Sequence, residues 1–156
     1  MHPRVRESLE QHDLSHRVWE HRLAPSPIRS PADFSVFSGI PLERIAKTLF
    51  LAVAGGTTPF VLVVCPMTAK LDLPAIASLL EATTVAMGSR QALAEQLGYP
   101  PNGVSPIGAG ELPVLMDEQV FAHQTITVGG GEAGVEVEVD PQALANMSAA
   151  RRCRCT

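Results

Sequence analysis

The chain has 156 residues, of which 46% are hydrophobic and 18% are charged. A chain of this length buries roughly 70% of its unfolded surface, so it needs no disulfide framework, and its apolar content excludes a wholly disordered protein. The net charge of −4 is unevenly distributed: residues 1–90 carry nine Lys or Arg and eight acids, whereas residues 91–150 carry eight acids and no Lys or Arg. A nucleic-acid partner is therefore expected to contact the first half.

The two ends of the chain give further expectations. No apolar stretch follows Met1, which predicts a cytoplasmic protein without a signal peptide or membrane span. Cys153 and Cys155 form a C-x-C pair in an Arg-rich segment, and two thiolates do not complete a tetrahedral zinc site. The histidines show no metal-binding spacing, so no metal or cofactor is expected. We predict one domain over residues 1–150 and a disordered tail over residues 151–156.

Local patterns predict the secondary structure along most of the chain. In order, they predict a helix over 3–11, a strand over 16–20, a Pro/Ser-rich loop over 24–31, a helix over 32–38 ended by Gly39, a helical turn at Pro41 and Leu42, strands over 48–54 and 59–65, a helix from the N-cap Asp72 to Leu80, a strand over 83–87, a helix over 90–97 between Ser89 and Gly98, a loop from Tyr99 to Gly110, strands over 113–117, 124–128 and 135–139, and a helix that begins at Pro141.

Two pairs of these strands are separated by glycine-rich turns and are predicted to form β-hairpins. The first pair flanks residues 55–58 (GGTT), and the second flanks residues 129–134 (GGGEAG). The continuous hydrophobicity of residues 48–54 and 59–65 predicts strands that are buried on both faces. A β-rich centre with interspersed helices predicts an α/β or α+β domain with a mixed sheet.

The glycine-rich segment 129–134 matches the pattern G-x-G-x-x-G of dinucleotide-binding folds. That chemistry requires a helix directly after the glycines, because the helix N-terminus holds the pyrophosphate. Here a strand, VEVEV, follows instead. The segment is therefore interpreted as a tight hairpin turn, or as a place where the backbone approaches a ligand closely.

A second loop, residues 103–108 (GVSPIG), resembles a serine-nucleophile motif only superficially. The nucleophile elbow is G-x-S-x-G, whereas this loop has one more residue and Pro106 follows Ser105. A rigid loop that presents backbone N–H groups to a developing oxyanion fits the sequence better.

Lys47 lies at the entry to the apolar run TLFLAVA. An ammonium group beside a buried strand needs water or a partner, so Lys47 is either a functional cation or a side chain that extends to solvent at the strand end. The sequence pattern alone leaves both interpretations open. Lys70 lies in a polar loop and is expected to be solvated.

Several short motifs, in their order and spacing, give the chain a resemblance to a known family. These motifs are Glu20-His21, Lys47 to Leu51, Leu71 to Leu73, Gly98-Tyr99, GVSPIG, Leu112-Pro113 with Asp117, and Gly130-Gly131 followed by VEVEV. The chain resembles the YbaK-type aminoacyl-tRNA deacylases, which are related to the editing domain inserted in bacterial prolyl-tRNA synthetases. The resemblance extends from about Trp19 to Leu144.

The resemblance implies a mixed, partly closed β-sheet with surrounding helices, and hydrolysis of the ester between an amino acid and the terminal ribose of tRNA. It implies catalytic roles for Lys47 and Gly108. The substrate-binding positions that it implies are Trp19, Thr48, Gly103, Val104, Ser105, Pro106, Ile107, Gly129, Gly130, Gly131 and Glu136. Two positions depart from the family pattern: Asn102 replaces a glycine, and Gly129 replaces a serine that is found in cysteine-specific members.

We therefore expect a trans-editing deacylase for mischarged tRNA, with Ser, Thr or Ala preferred over Cys as the amino acid. The expected partners are the acceptor end of aminoacyl-tRNA and an aminoacyl-tRNA synthetase. The expected tRNA footprint is formed by the cations of the first half, namely Arg4, Arg6, Arg17, Arg22, Arg29, Arg44 and Lys70. Two alternatives remain open: a non-catalytic module that binds tRNA or a synthetase, and a small-molecule ester hydrolase.

Overall fold

The computed structural model describes the whole chain, Met1–Thr156, as five α-helices and eight β-strands. In chain order these are α1 (Pro3–Gln11), β1 (His16–Glu20), α2 (Pro31–Ser38), β2 (Ala46–Ala54), β3 (Phe60–Pro66), α3 (Leu73–Leu79), β4 (Thr84–Met87), α4 (Arg90–Leu97), β5 (Val114–Asp117), β6 (Ile126–Gly129), β7 (Val135–Val139), α5 (Pro141–Met147) and β8 (Arg151–Cys153). Short 3-10 turns cover His21–Leu23, Leu42–Arg44 and Glu118–Ala122.

The helices begin and end where their capping residues predict. The side chain of Asp72 accepts a hydrogen bond from the backbone N–H of Ala75, and Ser89 caps α4 in the same way. Gly39 and Gly98 end α2 and α4 in the left-handed conformation. None of the helices combines the length and the hydropathy that a bilayer crossing requires.

The strands form two sheets. A three-stranded antiparallel sheet has the order β1-β7-β6, and a five-stranded sheet has the order β4-β2-β3-β5-β8. In the larger sheet, β4, β2 and β3 are antiparallel, whereas β3, β5 and β8 are parallel. An isolated parallel backbone bridge between Ile45 and Thr127 links the two sheets. The predicted mixed sheet and both predicted hairpins are confirmed, and the α+β class with them.

The larger sheet is covered on both faces at its central strand β3, which explains the continuous hydrophobicity of that strand, whereas the predicted burial of β2 on both faces is only partial. One face contributes Leu62 and Val64 to a core of 20 buried residues shared with α1, α5 and the smaller sheet. The other face contributes Val61 and Val63 to a second core of eight buried residues beneath α3. Since every side chain of β3 after Phe60 is buried, the alternation of a half-exposed strand is absent.

The prediction that residues 151–156 form a disordered tail is wrong. Residues 151–153 pair in parallel with β5, and Cys155 is fully buried in the second core. The carboxylate of Asp117 accepts hydrogen bonds from the Cys155 backbone N–H at 3.0 Å and from Thr156 Oγ1 at 3.1 Å. This segment covers the edge of β5 with backbone hydrogen bonds and inserts one thiol, so it needs no apolar run to be ordered.

Asp117 is buried, and the ionised form of its carboxyl group holds this C-terminal segment. Burial alone would raise the pKa of Asp117, but hydrogen bonds from the backbone N–H groups of Cys155 and Gln119 and from Thr156 keep it below its ordinary value. Introducing a second charge at position 155 is therefore expected to release the segment from the sheet.

We predict that Cys155→Asp lowers the free energy of unfolding by about 2 kcal/mol, because it places a second buried carboxylate beside Asp117. Urea unfolding followed by circular dichroism measures the change. The matched control is Arg154→Asp, since the neighbouring side chain is exposed. Equal unfolding midpoints for both variants and the wild type would show that the segment is not docked in solution.

Candidate active site

Six of the residues that the sequence predicts for the site surround one cavity of about 210 Å³. They are Lys47, Thr48, Gly103, Val104, Gly129 and Glu136. The cavity lies where β2 begins, between the loop that follows α4 and the hairpin formed by β6 and β7. Three distant segments of the chain therefore meet at this one place.

Lys47 is held at the cavity by the loop after β3. Its backbone pairs with Cys65 in the hairpin of β2 and β3. Its ammonium group donates a hydrogen bond to the carbonyl oxygen of Ala69 at 2.5 Å, and no carboxylate lies within 4.0 Å of it. The positive charge is positioned by a neutral acceptor and is therefore not neutralised inside the protein.

Thr48 presents an unsatisfied hydroxyl group. The residue is 9% exposed, and its Oγ1 atom is buried without a hydrogen-bond partner. A buried hydroxyl without a partner costs about 1–3 kcal/mol, so such groups are rare unless a ligand or a water completes them. Thr48 borders the cavity, and its hydroxyl is the one unpaired side-chain hydroxyl in the cavity lining.

One wall of the cavity is formed by direct contact between two backbones. A Cβ atom on Gly129 would lie 2.4 Å from the carbonyl oxygen of Val104. A Cβ atom on Gly103 would lie 2.5 Å from the carbonyl carbon of Glu132. The space that a serine would need at position 129 is therefore occupied by the loop, so glycine here does not simply enlarge the pocket.

Glu136 and His21 form a half-buried pair beside this cavity. Burial raises the pKa of the Glu136 carboxyl to about 7 and lowers the pKa of His21. The Nε2 atom of His21 lies 3.6 Å from Oε1 of Glu136 and has no hydrogen-bond partner. Burial thus favours the neutral form of both groups.

His21 was not among the predicted site residues, although Glu20-His21 was one of the motifs of the family resemblance. Its position depends on the pairing of β1 with β7, which aligns Glu20 with Val135 and places His21 beside Gly134. No local pattern predicts a pairing between segments that are more than one hundred residues apart. Met67, Pro101 and Asn102 also line the cavity and were not predicted.

Trp19 does not line the cavity, contrary to the role that the resemblance implies. Its indole N–H donates to Glu138 Oε2 at 3.1 Å, and its ring packs edge-on against Phe34 and Phe37. The guanidinium of Arg17 lies 3.8 Å from the ring centre. Trp19 therefore joins β1 to α2, and its polar atom is already occupied.

The second half of the loop 103–108 is directed into the core instead of the cavity. Ser105 is fully buried, and its Oγ accepts a hydrogen bond from the backbone N–H of Ile107 at 3.1 Å. Pro106 and Ile107 are buried, and the Ile107 carbonyl accepts a hydrogen bond from Tyr99. Only Gly103 and Val104 of this loop border the cavity.

Three glycines of the predicted site face α1. The Gly108 carbonyl accepts a hydrogen bond from Arg4, and the Gly130 carbonyl accepts one from the backbone N–H of His2. Gly131, in the left-handed conformation, packs against His2. Gly108, Gly130 and Gly131 therefore contact α1 and its N-cap and do not line the cavity. The geometry does not support the catalytic role expected for Gly108.

Two cations of the expected tRNA footprint are occupied inside the protein. Arg44 forms an ion pair with Glu138 at 2.8 Å and hydrogen bonds with Thr125. Arg4 is bound to Gly108 as described above. Arg6, Arg17, Arg22, Arg29 and Lys70 are exposed, but Arg22 forms a surface ion pair with Glu20 at 2.6 Å. The surface available to phosphates is therefore smaller than the sequence predicts.

Comparison with known proteins agrees with the geometry. Residues 25–147 match the model of the aminoacyl-tRNA editing domain. The chain belongs to this family. It is 28% identical over 141 residues to EbsC of Enterococcus faecalis (strain ATCC 700802 / V583), a proposed Cys-tRNA(Pro)/Cys-tRNA(Cys) deacylase, with 90% of this chain and 84% of that protein covered. The resemblance to the YbaK-type editing domains is thereby confirmed.

Two further matches concern prolyl-tRNA synthetases. The editing-domain chain is 24% identical over 123 residues to the proline–tRNA ligase of Thermosipho africanus (strain TCF52B), which corresponds to 79% of this chain and 21% of the ligase. Its fold matches the crystal structure of a proposed trans-editing enzyme for prolyl-tRNA synthetase, with a TM-score of 0.83, 21% identity, and 100% and 98% of the two chains covered. The fold is therefore that of the known editing domains.

We predict that Glu136→Gln stabilises the protein at pH 8 by roughly 1–3 kcal/mol and changes little at pH 4.5. Between its ordinary pKa of 4.5 and its folded pKa of about 7, the native state binds more protons than the unfolded state, so native stability falls as pH rises. Glutamine has no ionisable carboxyl, so the Glu136→Gln variant does not lose native stability in this way as the pH rises. Urea unfolding at both pH values measures the difference.

Glu138→Gln is the matched control for this prediction. Burial alone would raise the pKa of Glu138, but hydrogen bonds from Thr125 and Trp19 and the charge of Arg44 keep it below its ordinary value. Its replacement is expected to lower stability at pH 8. If both glutamines destabilise the protein equally, the carboxyl of Glu136 is ionised in a favourable contact and the prediction is wrong.

Proposed function

We propose that this editing domain hydrolyses the ester bond of tRNA charged with a small, incorrect amino acid. The observation that supports this function is the cavity in which the unneutralised ammonium of Lys47 and the unpartnered hydroxyl of Thr48 adjoin a loop backbone. The cavity volume of about 210 Å³ is sufficient for a small amino acid. The family relationship supports the same substrate class.

The proposed chemistry needs few groups of the protein, because an aminoacyl ester is already activated. Water adds to the ester carbonyl, the bond from carbon to the ribose oxygen breaks, and that oxygen takes the proton that water loses. Free amino acid and uncharged tRNA are released. Positioning of the ester and stabilisation of the developing oxyanion supply most of the rate enhancement in such a reaction.

Each of the surrounding groups has a role in this scheme. Lys47 holds the carbonyl oxygen or a phosphate near the terminal adenosine. The backbone N–H of Val104 donates to no acceptor within the protein and is available to the oxyanion. The hydroxyl of Thr48 binds a polar group of the amino acid. The neighbouring ribose hydroxyl accepts the proton from the attacking water and passes its own proton to the ribose oxygen that leaves.

We predict that Lys47→Ala lowers the deacylation rate at least about 100-fold, because one preorganised donor at an oxyanion contributes that much or more. The assay measures release of amino acid from mischarged tRNA under single-turnover conditions. Arg154→Ala is the control, since this exposed cation lies in the C-terminal segment, outside both the cavity lining and the expected tRNA footprint. Near-wild-type rates in a folded Lys47→Ala protein would contradict the catalytic role of Lys47, whereas a wild type that binds mischarged tRNA without releasing amino acid would favour a non-catalytic binding module.

The identity of the amino acid is the finer part of the proposal. Thr48 offers one hydroxyl, and position 129 lacks the serine of the cysteine-specific members, which favours Ser, Thr or Ala over Cys. The name of the E. faecalis relative includes Cys, so cysteine belongs in the substrate panel. Small substrates that differ by one methylene are separated by only about 1–3 kcal/mol, so overlap among them is expected.

We predict that Gly129→Ser lowers the deacylation rate for all small amino acids and does not create a preference for cysteine. The reason is steric, because a side chain at position 129 displaces the Val104 carbonyl from the cavity wall. The effect is measured as deacylation rates on the same tRNA carrying Ala, Ser, Thr or Cys. The Gly129→Ala variant distinguishes the steric effect of a side chain from the effect of the serine hydroxyl. A selective gain for cysteine in Gly129→Ser would contradict this steric account.

A further inference from the structure

The C-terminal segment carries two free cysteines that face the same way. Cys153 is half-buried at the end of β8 and Cys155 is fully buried, whereas Arg154 between them is exposed. Both cysteines pack in the second core, beneath α3. Side chains two residues apart on an extended segment lie on one face, so this alternation brings the two thiols together. The proposed deacylation uses neither of them.

Two consecutive residues of β5 hold the two sulfur atoms. The Sγ atom of Cys153 lies 4.0 Å from the Met116 carbonyl oxygen, and the Sγ atom of Cys155 lies 3.5 Å from Oδ2 of Asp117. When Cys153 is ionised, the Cys155 thiol donates a hydrogen bond to it, which lowers the pKa of Cys153. The same contact, together with burial, raises the pKa of Cys155. Cys153 is therefore both the more readily ionised thiol and the one that solvent reaches.

An accessible thiolate beside a buried thiol is the arrangement that thiol–disulfide exchange requires, because one sulfur attacks the reagent and the other resolves the product. We propose that Cys153 and Cys155 form a reversible disulfide by exchange with a low-molecular-weight disulfide, and that this bond releases the C-terminal segment from β5. The proposal assigns a modification site to this segment and does not depend on the deacylase function.

The exchange consists of two displacements. The Cys153 thiolate attacks one sulfur of the small disulfide, whose S–S bond breaks, and one small thiolate leaves and takes up the proton that Cys153 had lost. The sulfur of Cys155 then attacks the sulfur of Cys153, the protein disulfide forms, and the second small thiolate leaves and takes up the proton of Cys155. Two protein thiols are oxidised, and one small disulfide is reduced to two small thiols.

Closure of this disulfide distorts the docked segment. Cα atoms two residues apart on an extended chain are separated by about 6.4–6.8 Å. Most disulfides join Cα atoms that are about 5.5–6 Å apart, so the bond draws Cys153 and Cys155 together. The backbone of Cys155 donates a hydrogen bond to Asp117 and accepts one from the N–H of Asp72, each at 3.0 Å. Both hydrogen bonds are expected to break when the Cys155 backbone moves.

Alkylation measures the formation of the disulfide. The full chain is incubated with glutathione disulfide, denatured and treated with iodoacetamide. The reduced protein has three free cysteines and accepts three alkyl groups. The oxidised protein is expected to accept only one, at Cys65, and dithiothreitol is expected to restore the others. Cys65→Ala is the matched control and is expected to form the same disulfide. A stable mixed disulfide at Cys153, or a protein that keeps every thiol free, overturns the proposal.

Hydrogen exchange of the Asp72 amide measures the release of the segment. Exchange is expected to be at least about tenfold faster in the oxidised wild type than in the reduced protein, because the Cys155 carbonyl no longer accepts this N–H. Cys153→Ser is expected to fold, since position 153 is half-buried, and to exchange like the reduced wild type after the same treatment. Unchanged exchange in a protein whose disulfide has formed, or equally accelerated exchange in Cys153→Ser, overturns the release.

Discussion

The contact between the loop after α4 and the hairpin of β6 and β7 is the constraint on which the site depends. Two backbones approach so closely that neither Gly103 nor Gly129 has room for a Cβ atom. This contact places the Val104 backbone opposite β2, and it thereby determines the width of the cavity around Thr48. Glycine is required at both positions because it has no side chain, and any larger residue would separate the two walls.

The opposite side of the cavity depends on a different set of contacts, which begins at the C-terminal segment. Asp117 holds the backbone of Cys155, and the Cys155 carbonyl accepts a hydrogen bond from the backbone N–H of Asp72 at 3.0 Å. Asp72 caps α3 and ends the loop whose Ala69 carbonyl holds the ammonium of Lys47. The segment that the sequence predicts to be disordered is thus connected to the site by successive hydrogen bonds.

The differences between prediction and structure have a common physical origin. Helix caps, hairpin turns and the apolar strands were predicted correctly because each is specified by neighbouring residues. The docking of residues 151–156 is specified by the unpaired edge of β5, which lies more than thirty residues away. Likewise, spacing within the loop 103–108 does not reveal which half faces the cavity; Tyr99 and Arg4 determine it by binding the carbonyls of Ile107 and Gly108.

Burial of the ionisable side chains determines the charge of the site. A carboxylate beside the path of a polyanion repels it by about 1 kcal/mol at 4 Å in water, and by more in a buried setting. Burial raises the pKa of Glu136 to about 7, so the protonated form of this carboxyl is well populated near neutrality. Burial also keeps His21 neutral, so it adds no positive charge. The ammonium of Lys47, whose acceptor is a carbonyl and not a carboxylate, therefore dominates the electrostatics of the cavity. Because its charge is not cancelled by a neighbouring anion, it remains available to an ester oxygen or a phosphate.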